Sequence, residues 1–148
     1  MENKIRNVVL IDDDMTALSI ITAYLNRTEK VENIVSFQSG KAALEYLKKS
    51  DDEWPEVILC DLVMPSMTGL EFLDNYAAMG YDSKPCLVCV HSSESDTVDF
   101  DDLEQRGHVH MFIPKPMNDE KLDQLFRFLE GQRKVAFQKE TPLKYVLS

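Results

Sequence analysis

A three-layer, doubly wound α/β domain built on a five-stranded parallel sheet is what this sequence predicts, on three observations. Five short apolar runs alternate with stretches of helical spacing, the runs are apolar at consecutive positions, and several end in polar or charged residues. Strands that are apolar at every position are buried on both faces, and parallel neighbours need a crossover helix, so helices must cover both sides of the sheet. A chain of 148 residues, 44% hydrophobic and 28% charged, fits one such domain.

Taken in order, the first run is Asn7 to Ile11 (NVVLI), which leads into Asp12, Asp13 and Asp14. Asp14 is placed to cap a helix whose apolar stripe is Leu18, Ile21 and Leu25. Asn33 to Phe37 (NIVSF) is the second strand, followed by a helix that buries Ala43, Leu44 and Leu47. Trp54-Pro55 holds the chain extended before the third strand, Glu56 to Cys60 (EVILC), which delivers Asp61. The next helix buries Leu70, Leu73 and Tyr76, and Cys86 to Val90 (CLVCV) is the fourth strand. Ser92 to Arg106 is acidic almost throughout and offers only Val98, Phe100 and Leu103 for burial, so a short, mobile helix with one exposed side is expected there. Val109 to Ile113 (VHMFI) is the fifth strand. Asn118 as N-cap, with Asp119 and Glu120 at the positive end of the dipole, opens a last helix carrying Leu122, Leu125, Phe126 and Leu129, and Gly131 is placed to stop it. The stretch after it, with more basic than acidic residues, is left open as a docked element, a dimer contact or a frayed tail.

Charge and ends narrow the function classes. A formal charge of -10 argues against direct binding of nucleic acid, whose phosphates are met by basic surfaces. The N-terminal apolar run is only Val8 to Ile11 and breaks into aspartates, which fits neither a signal peptide nor membrane insertion, and a cytoplasmic location is expected. Cys86 and Cys89 sit three apart on a strand and so face opposite sides. Together with Cys60 they read as buried core thiols rather than as a metal or redox pair.

In an open parallel sheet, ligands bind beyond the carboxyl ends of the strands. Here those ends carry Asp12 and Asp13, Asp61, then His91, Ser92 and Ser93, and finally Pro114, Lys115 and Pro116. Crowded carboxylates repel unless a cation neutralises them, and Mg²⁺ suits one or two carboxylates plus water and a phosphate oxygen. Lys115 and a serine hydroxyl would then face a phosphoryl group. Singly, each feature has a plainer reading, as helix caps or solvated charge for the aspartates and serines and a surface loop for the lysine. Their joint position at successive strand ends is what points to phosphate chemistry.

These residues resemble the receiver domain of two-component response regulators. VVLIDDD is similar to that family's first strand and acidic pair, ILCDLVMPSMTGLEFL to its phosphoacceptor strand with the loop and helix after it, and FIPKP to its lysine-proline segment. The likeness runs from about Asn7 to Glu130, so that residues 1–130 would form the receiver and 131–148 a tail of unassigned role. It implies a flavodoxin-like strand order 2-1-3-4-5. It also implies that Asp61 is the phosphoacceptor and that Mg²⁺ is held by Asp12, Asp13, Asp61 and the Val63 backbone carbonyl. Lys115 would pair with the phosphoryl group, and the Lys115-Pro116 bond would be cis, as is typical of such domains. Two positions depart from the family pattern. His91 intervenes where a Thr or Ser followed by Ala is usual, so Ser92 is taken as the switch hydroxyl with Ser93 as second candidate. GHVH displaces a usual small residue ahead of Phe112, the counterpart of the family's rotating aromatic.

The implied partners are a sensor histidine kinase or phosphotransfer protein as donor and a downstream protein target, with a dimer possible. No output domain is expected after Glu130, so a stand-alone receiver or a relay intermediate is anticipated, a phosphoacceptor and not a turnover enzyme. Haloacid-dehalogenase-like phosphatases also place an aspartate after a parallel strand but need a second acid two residues on, where Val63 has no proton to give. A receiver-like binding module that is never phosphorylated is the remaining alternative.

Overall fold

The computed structural model describes residues 4–93, 97–135 and 143–146. Its centre is a parallel sheet of β1 (Val8–Ile11), β2 (Ile34–Phe37), β3 (Val57–Cys60), β4 (Leu87–Ser92), β5 (Met111–Pro114) and β6 (Lys144–Tyr145), in the order β2-β1-β3-β4-β5-β6. The crossovers are α1 (Met15–Arg27), α2 (Gly40–Lys48), α3 (Gly69–Ala78), α4 (Phe100–Arg106) and α5 (Asp119–Val135). The expected 2-1-3-4-5 flavodoxin-like core is present, with one strand more than the sequence reading allowed.

β1, β3 and β4 are buried at every position, as strands covered on both faces must be. Alternate residues feed two cores. On one face Val9, Ile58, Val88, Val90 and Phe112 pack under α2, α3 and α4, which contribute Leu47, Phe72, Tyr76 and Leu103. On the other, Leu10, Leu59, Leu87 and Ile113 meet Leu18, Ile21 and Leu25 of α1 and Leu122, Leu125 and Leu129 of α5. A side chain as deeply buried as Phe72 contributes about 1.5–3 kcal/mol of transfer free energy. Cys86 belongs to the first core and Cys89 to the second, so the C-x-x-C pair is split across the sheet as strand alternation requires. All three thiols are buried, and burial pushes Cys86 up to about 12.

Local signals start the helices where expected. Asp14 accepts from the Thr16 N–H at 2.9 Å, and Asn118 from the Lys121 N–H at 2.8 Å. Thr68 and Glu71 form a reciprocal capping box at the start of α3.

Four expectations are corrected. The sheet has a sixth strand, because Leu143–Val146 returns along β5; the tail supplies a docked element there, and residues 136–142 and 147–148 lie outside the described residues. Gly131 does not stop α5, which runs on to Val135. The last turn is held by tertiary contacts, with Gln132 buried and Arg133 ion-paired to Glu56, and these outweigh glycine's helix penalty of about 1 kcal/mol. β4 continues past Val90 through His91 to Ser92. The acidic stretch is therefore helical only from Phe100, where the Asp99 side chain caps the Asp102 N–H at 3.0 Å; residues 94–96 of it lie outside the described residues.

Candidate functional site

Strand register brings the sequence-predicted carboxylates together. Ile11 of β1 lies beside Cys60 of β3, and the Asp61 N–H donates to the Ile11 carbonyl at 2.9 Å, so Asp12 and Asp61 leave adjacent strand ends side by side. Asp12, Asp13 and Asp61 each present a carboxylate oxygen within 4.8 Å of the others. Asp12 and Asp61 are buried, whereas Asp13 is exposed at the rim.

Lys115, arriving at the end of β5, spans the cluster. Its Nζ donates to Asp12 Oδ2 at 2.8 Å and lies 3.5 Å from Asp61 Oδ2. Its backbone N–H donates to the Ser92 carbonyl at 2.9 Å, which ties the lysine to the end of β4. The Lys115-Pro116 peptide is cis. Burial raises the Asp61 pKa above the ordinary aspartate value, and the Asp12 charge adds to this, against the lowering effect of Lys115 and the Val63 N–H, which donates to Asp61 Oδ1 at 3.4 Å. Burial alone would lower the Lys115 ammonium, but the hydrogen bond and charge of Asp12, joined by Asp61, hold it above the usual lysine value.

The donor chemistry suits a hard divalent cation. Three carboxylates converge from two loops, and each would ligate through oxygen, the atom type that hard cations take. Asp12 Oδ1 also accepts the Asp14 N–H at 2.9 Å, which orients that carboxylate in its loop. Val63 is 59% exposed, on the loop that leaves Asp61 for α3.

Ser92 is completely buried at the end of β4. By strand alternation it shares its face with Val90 and Phe112, and the register sets Val90 beside Phe112 and Ser92 beside Pro114. His91 points to the other face, with Leu87 and Cys89, so its insertion does not separate Ser92 from Phe112's layer. Its ring is buried and its Nε2 has no hydrogen-bond partner among the described residues. Burial, with Lys115 and Lys121 nearby, depresses its pKa to about 3, so it is neutral. Phe112 is itself buried and meets Phe100 of α4 edge to face, ring centroids 4.9 Å apart.

Two contributors were not singled out from the sequence. Lys121, buried in the first turn of α5, donates to the carbonyls of Pro114 and Pro116 at 2.9 and 2.8 Å and fixes the backbone on both sides of Lys115. A lysine beside the apolar stripe begun by Leu122 was the available signal. Gly69 starts α3 so close to the loop that leaves Asp61 that a Cβ there would lie 2.3 Å from the Asp61 carbonyl oxygen and 2.6 Å from Leu62 Cα. Its signal was the glycine of MTGLEFL.

Comparison with known proteins agrees with this fold. A family model described as the response regulator receiver domain matches residues 8–127. A protein-glutamate methylesterase/protein-glutamine glutaminase from Rhodopseudomonas palustris (strain BisB18) is 32% identical over 117 residues, 78% of this chain and 30% of that protein. The chain thus spans less than a third of that relative's length. Among solved structures, a two component response regulator from Cytophaga hutchinsonii superposes with a TM-score of 0.79 at 30% identity, covering 86% of this chain and 98% of the other. A response regulator receiver domain protein from Methanospirillum hungatei JF-1 shares the fold, with a TM-score of 0.73 at 21% identity, covering 87% and 98%.

Proposed function

The chain belongs to the response regulator receiver domain family, and from that premise we propose that it is a phosphoacceptor of a two-component system, with Asp61 as the acceptor. The observation that carries this reading is the convergence of Asp12, Asp13, Asp61 and Lys115 on the carboxyl edge of the sheet. The donor is a phosphohistidine on a sensor kinase or phosphotransfer protein. An Asp61 carboxylate oxygen forms the new bond to phosphorus as the phosphorus–nitrogen bond breaks, and the imidazole leaves with the electron pair and takes up a proton. The product is an acyl phosphate.

Asp12, Asp13 and Asp61, with the Val63 carbonyl, would hold Mg²⁺, which when bound neutralises charge on the phosphoryl oxygens. Lys115 already lies within reach of both buried carboxylates, so a small movement carries its ammonium from Asp12 to the phosphoryl group at Asp61. A phosphoryl group brings about -1.5 to -2 charges and three acceptor oxygens, and Ser92 supplies a hydroxyl to one of them. Drawing Ser92 toward Asp61 opens space in the layer it shares with Phe112. The ring follows, and the surface of α4, β5 and α5 changes for a downstream protein target. On this reading the protein assists its own phosphorylation and dephosphorylation but turns over no other substrate. It acts in the cytoplasm by protein contact. Among the described residues no helix is long and apolar enough to cross a membrane.

The test is incubation of the purified chain with Mg²⁺ and acetyl phosphate, followed by intact mass. Wild type is expected to gain one phosphoryl group, to lose that gain when the metal is chelated, and Asp61→Asn to gain none. Equal uptake by Asp61→Asn, or none by wild type, contradicts the reading.

A further inference from the structure

In a five-stranded receiver sheet β5 would be an open edge, and an open edge is a template for an added strand. Here residues 143–146 fill it. The Lys144 N–H donates to the His110 carbonyl and the Val146 N–H to the Phe112 carbonyl, each at 2.9 Å, in parallel register with Lys144 beside Met111 and Tyr145 beside Phe112. Side chains on both faces anchor it. Leu143 is buried in the core that contains Phe112 and Leu103, and Val146 in the core that contains Leu122 and Phe126. Lys144 lines a groove beside α5 together with Glu120, Asp123 and Arg127, in which Asp123 is already paired with Arg127.

A chain of rings joins this strand to the switch layer. Phe112 meets Phe100 at 4.9 Å, and Phe100 meets Tyr145 at 5.3 Å, both edge to face. The inner ring is buried and the outer two are 38% and 40% exposed. Phe112 is therefore both the register neighbour of Tyr145 and, through Phe100, its indirect packing partner. Movement of the Phe112 ring breaks its contact with Phe100 and removes the support on which Tyr145 rests. A strand of two residues with few backbone bonds is the kind of element that opens at low free-energy cost.

We propose that Leu143–Val146 is a built-in strand ligand of the β5 edge, docked while Asp61 carries no phosphoryl group and released when Phe112 moves. Docked, it covers β5 beside α4 and α5; released, it leaves that edge open. The proposal rests on Asp61 being the acceptor. Linkage makes the coupling reciprocal: the factor by which a bound phosphoryl mimic favours release of the strand is the factor by which a released strand favours binding of the mimic.

The experiment uses the full chain with Mg²⁺ and beryllofluoride as the mimic, fluorine NMR to report occupancy, and hydrogen exchange at Lys144 and Val146 to report docking. Saturation is expected to speed exchange at these two amides by about fivefold or more, the low end of ordinary allosteric coupling. Tyr145→Ala should exchange fast without ligand and bind beryllofluoride about fivefold tighter, while Tyr145→Phe, which keeps the ring, should match wild type. If beryllofluoride binds and exchange at the strand is unchanged, the strand inference fails and the acceptor reading stands. If no bound beryllofluoride is seen, both fail. Equal affinity in wild type and a Tyr145→Ala chain of normal fold also overturns the coupling.

Discussion

Replacing Gly69 by alanine tests whether α3 is seated directly on the acceptor loop. The added Cβ would lie 2.3 Å from the Asp61 carbonyl oxygen, 2.6 Å from Leu62 Cα and 3.0 Å from the Asp61 carbonyl carbon. Unstrained heavy-atom contacts lie near 3.5–4.0 Å, so α3 or the Asp61-Leu62 peptide must retreat by about 1 Å. All three atoms are backbone and cannot rotate aside, which places the cost at the upper end of overpacking, about 3 kcal/mol. At about 2–4 °C per kcal/mol for a domain near this size, the Tm should fall by about 6–12 °C. The same displacement moves the acceptor, and a misplacement of about 1 Å can slow a transfer step by about 100-fold. Gly131→Ala is the control, since nothing lies within 4 Å of its Cβ position inside α5. That change should stabilise by about 0.5–1 kcal/mol. Urea unfolding followed by circular dichroism gives both values. A Gly69→Ala chain within 1 kcal/mol of wild type, or a Gly131→Ala chain damaged as much, refutes the reasoning.

Three further outcomes follow from the charges. Burial and then the Asp12 charge hold the Asp61 pKa above its unfolded value, so its contribution to stability is complete below about pH 4 and is lost as pH rises through the folded pKa. Asp61→Asn should therefore be more stable than wild type at pH 7, with the advantage vanishing near pH 3; urea titrations at several pH values check this, and a less stable mutant at neutral pH contradicts it. Lys115→Ala leaves Asp12 and Asp61 without their cation at a partly exposed site and should lose about 1–3 kcal/mol. It should still take phosphate from acetyl phosphate, more slowly, without the change at α4, β5 and α5, and an unaltered surface response would remove Lys115 from the switch. His91 and His110 are depressed by burial to about 3 and about 4, so both are neutral in the fold. Unfolding lets them bind protons below about pH 6.5, and stability should drop as pH falls from there toward 4. His91→Gln should flatten that slope, and identical slopes in the two chains would show that His91 does not carry it.

The convergence of carboxylates at the sheet edge was legible because strand alternation and the carboxyl-end rule are local and general. Once VVLI and VILC are neighbouring parallel strands, Asp12 and Asp61 must emerge together. What escaped was set by contacts distant in sequence. Leu143–Val146 is too short to show a period and becomes a strand only because β5 offers an edge beside it. Gly131 carries a stop signal that is overridden by Arg133 pairing with Glu56, a residue 77 positions earlier in the chain. His91 looked like an interruption of the switch position. Its orientation toward the opposite core becomes plain only when Leu87 and Cys89 are seen on that side. Lys121 carries no mark in the sequence beyond its place before Leu122, because its ammonium is committed to the carbonyls of Pro114 and Pro116 by the fold alone.

Three carboxylates share one site, so the most direct measurement of the central claim is which of them takes the phosphoryl group. The chain is phosphorylated with acetyl phosphate and Mg²⁺, the acyl phosphate is reduced with borohydride to leave homoserine at the modified position, and the digested peptides are sequenced by mass. The account predicts homoserine at position 61 alone, in the peptide that contains VILC and LVMPSMTG. Homoserine at position 12 or 13, or an unmodified Asp61 in a chain whose intact mass shows the added phosphoryl group, would contradict it.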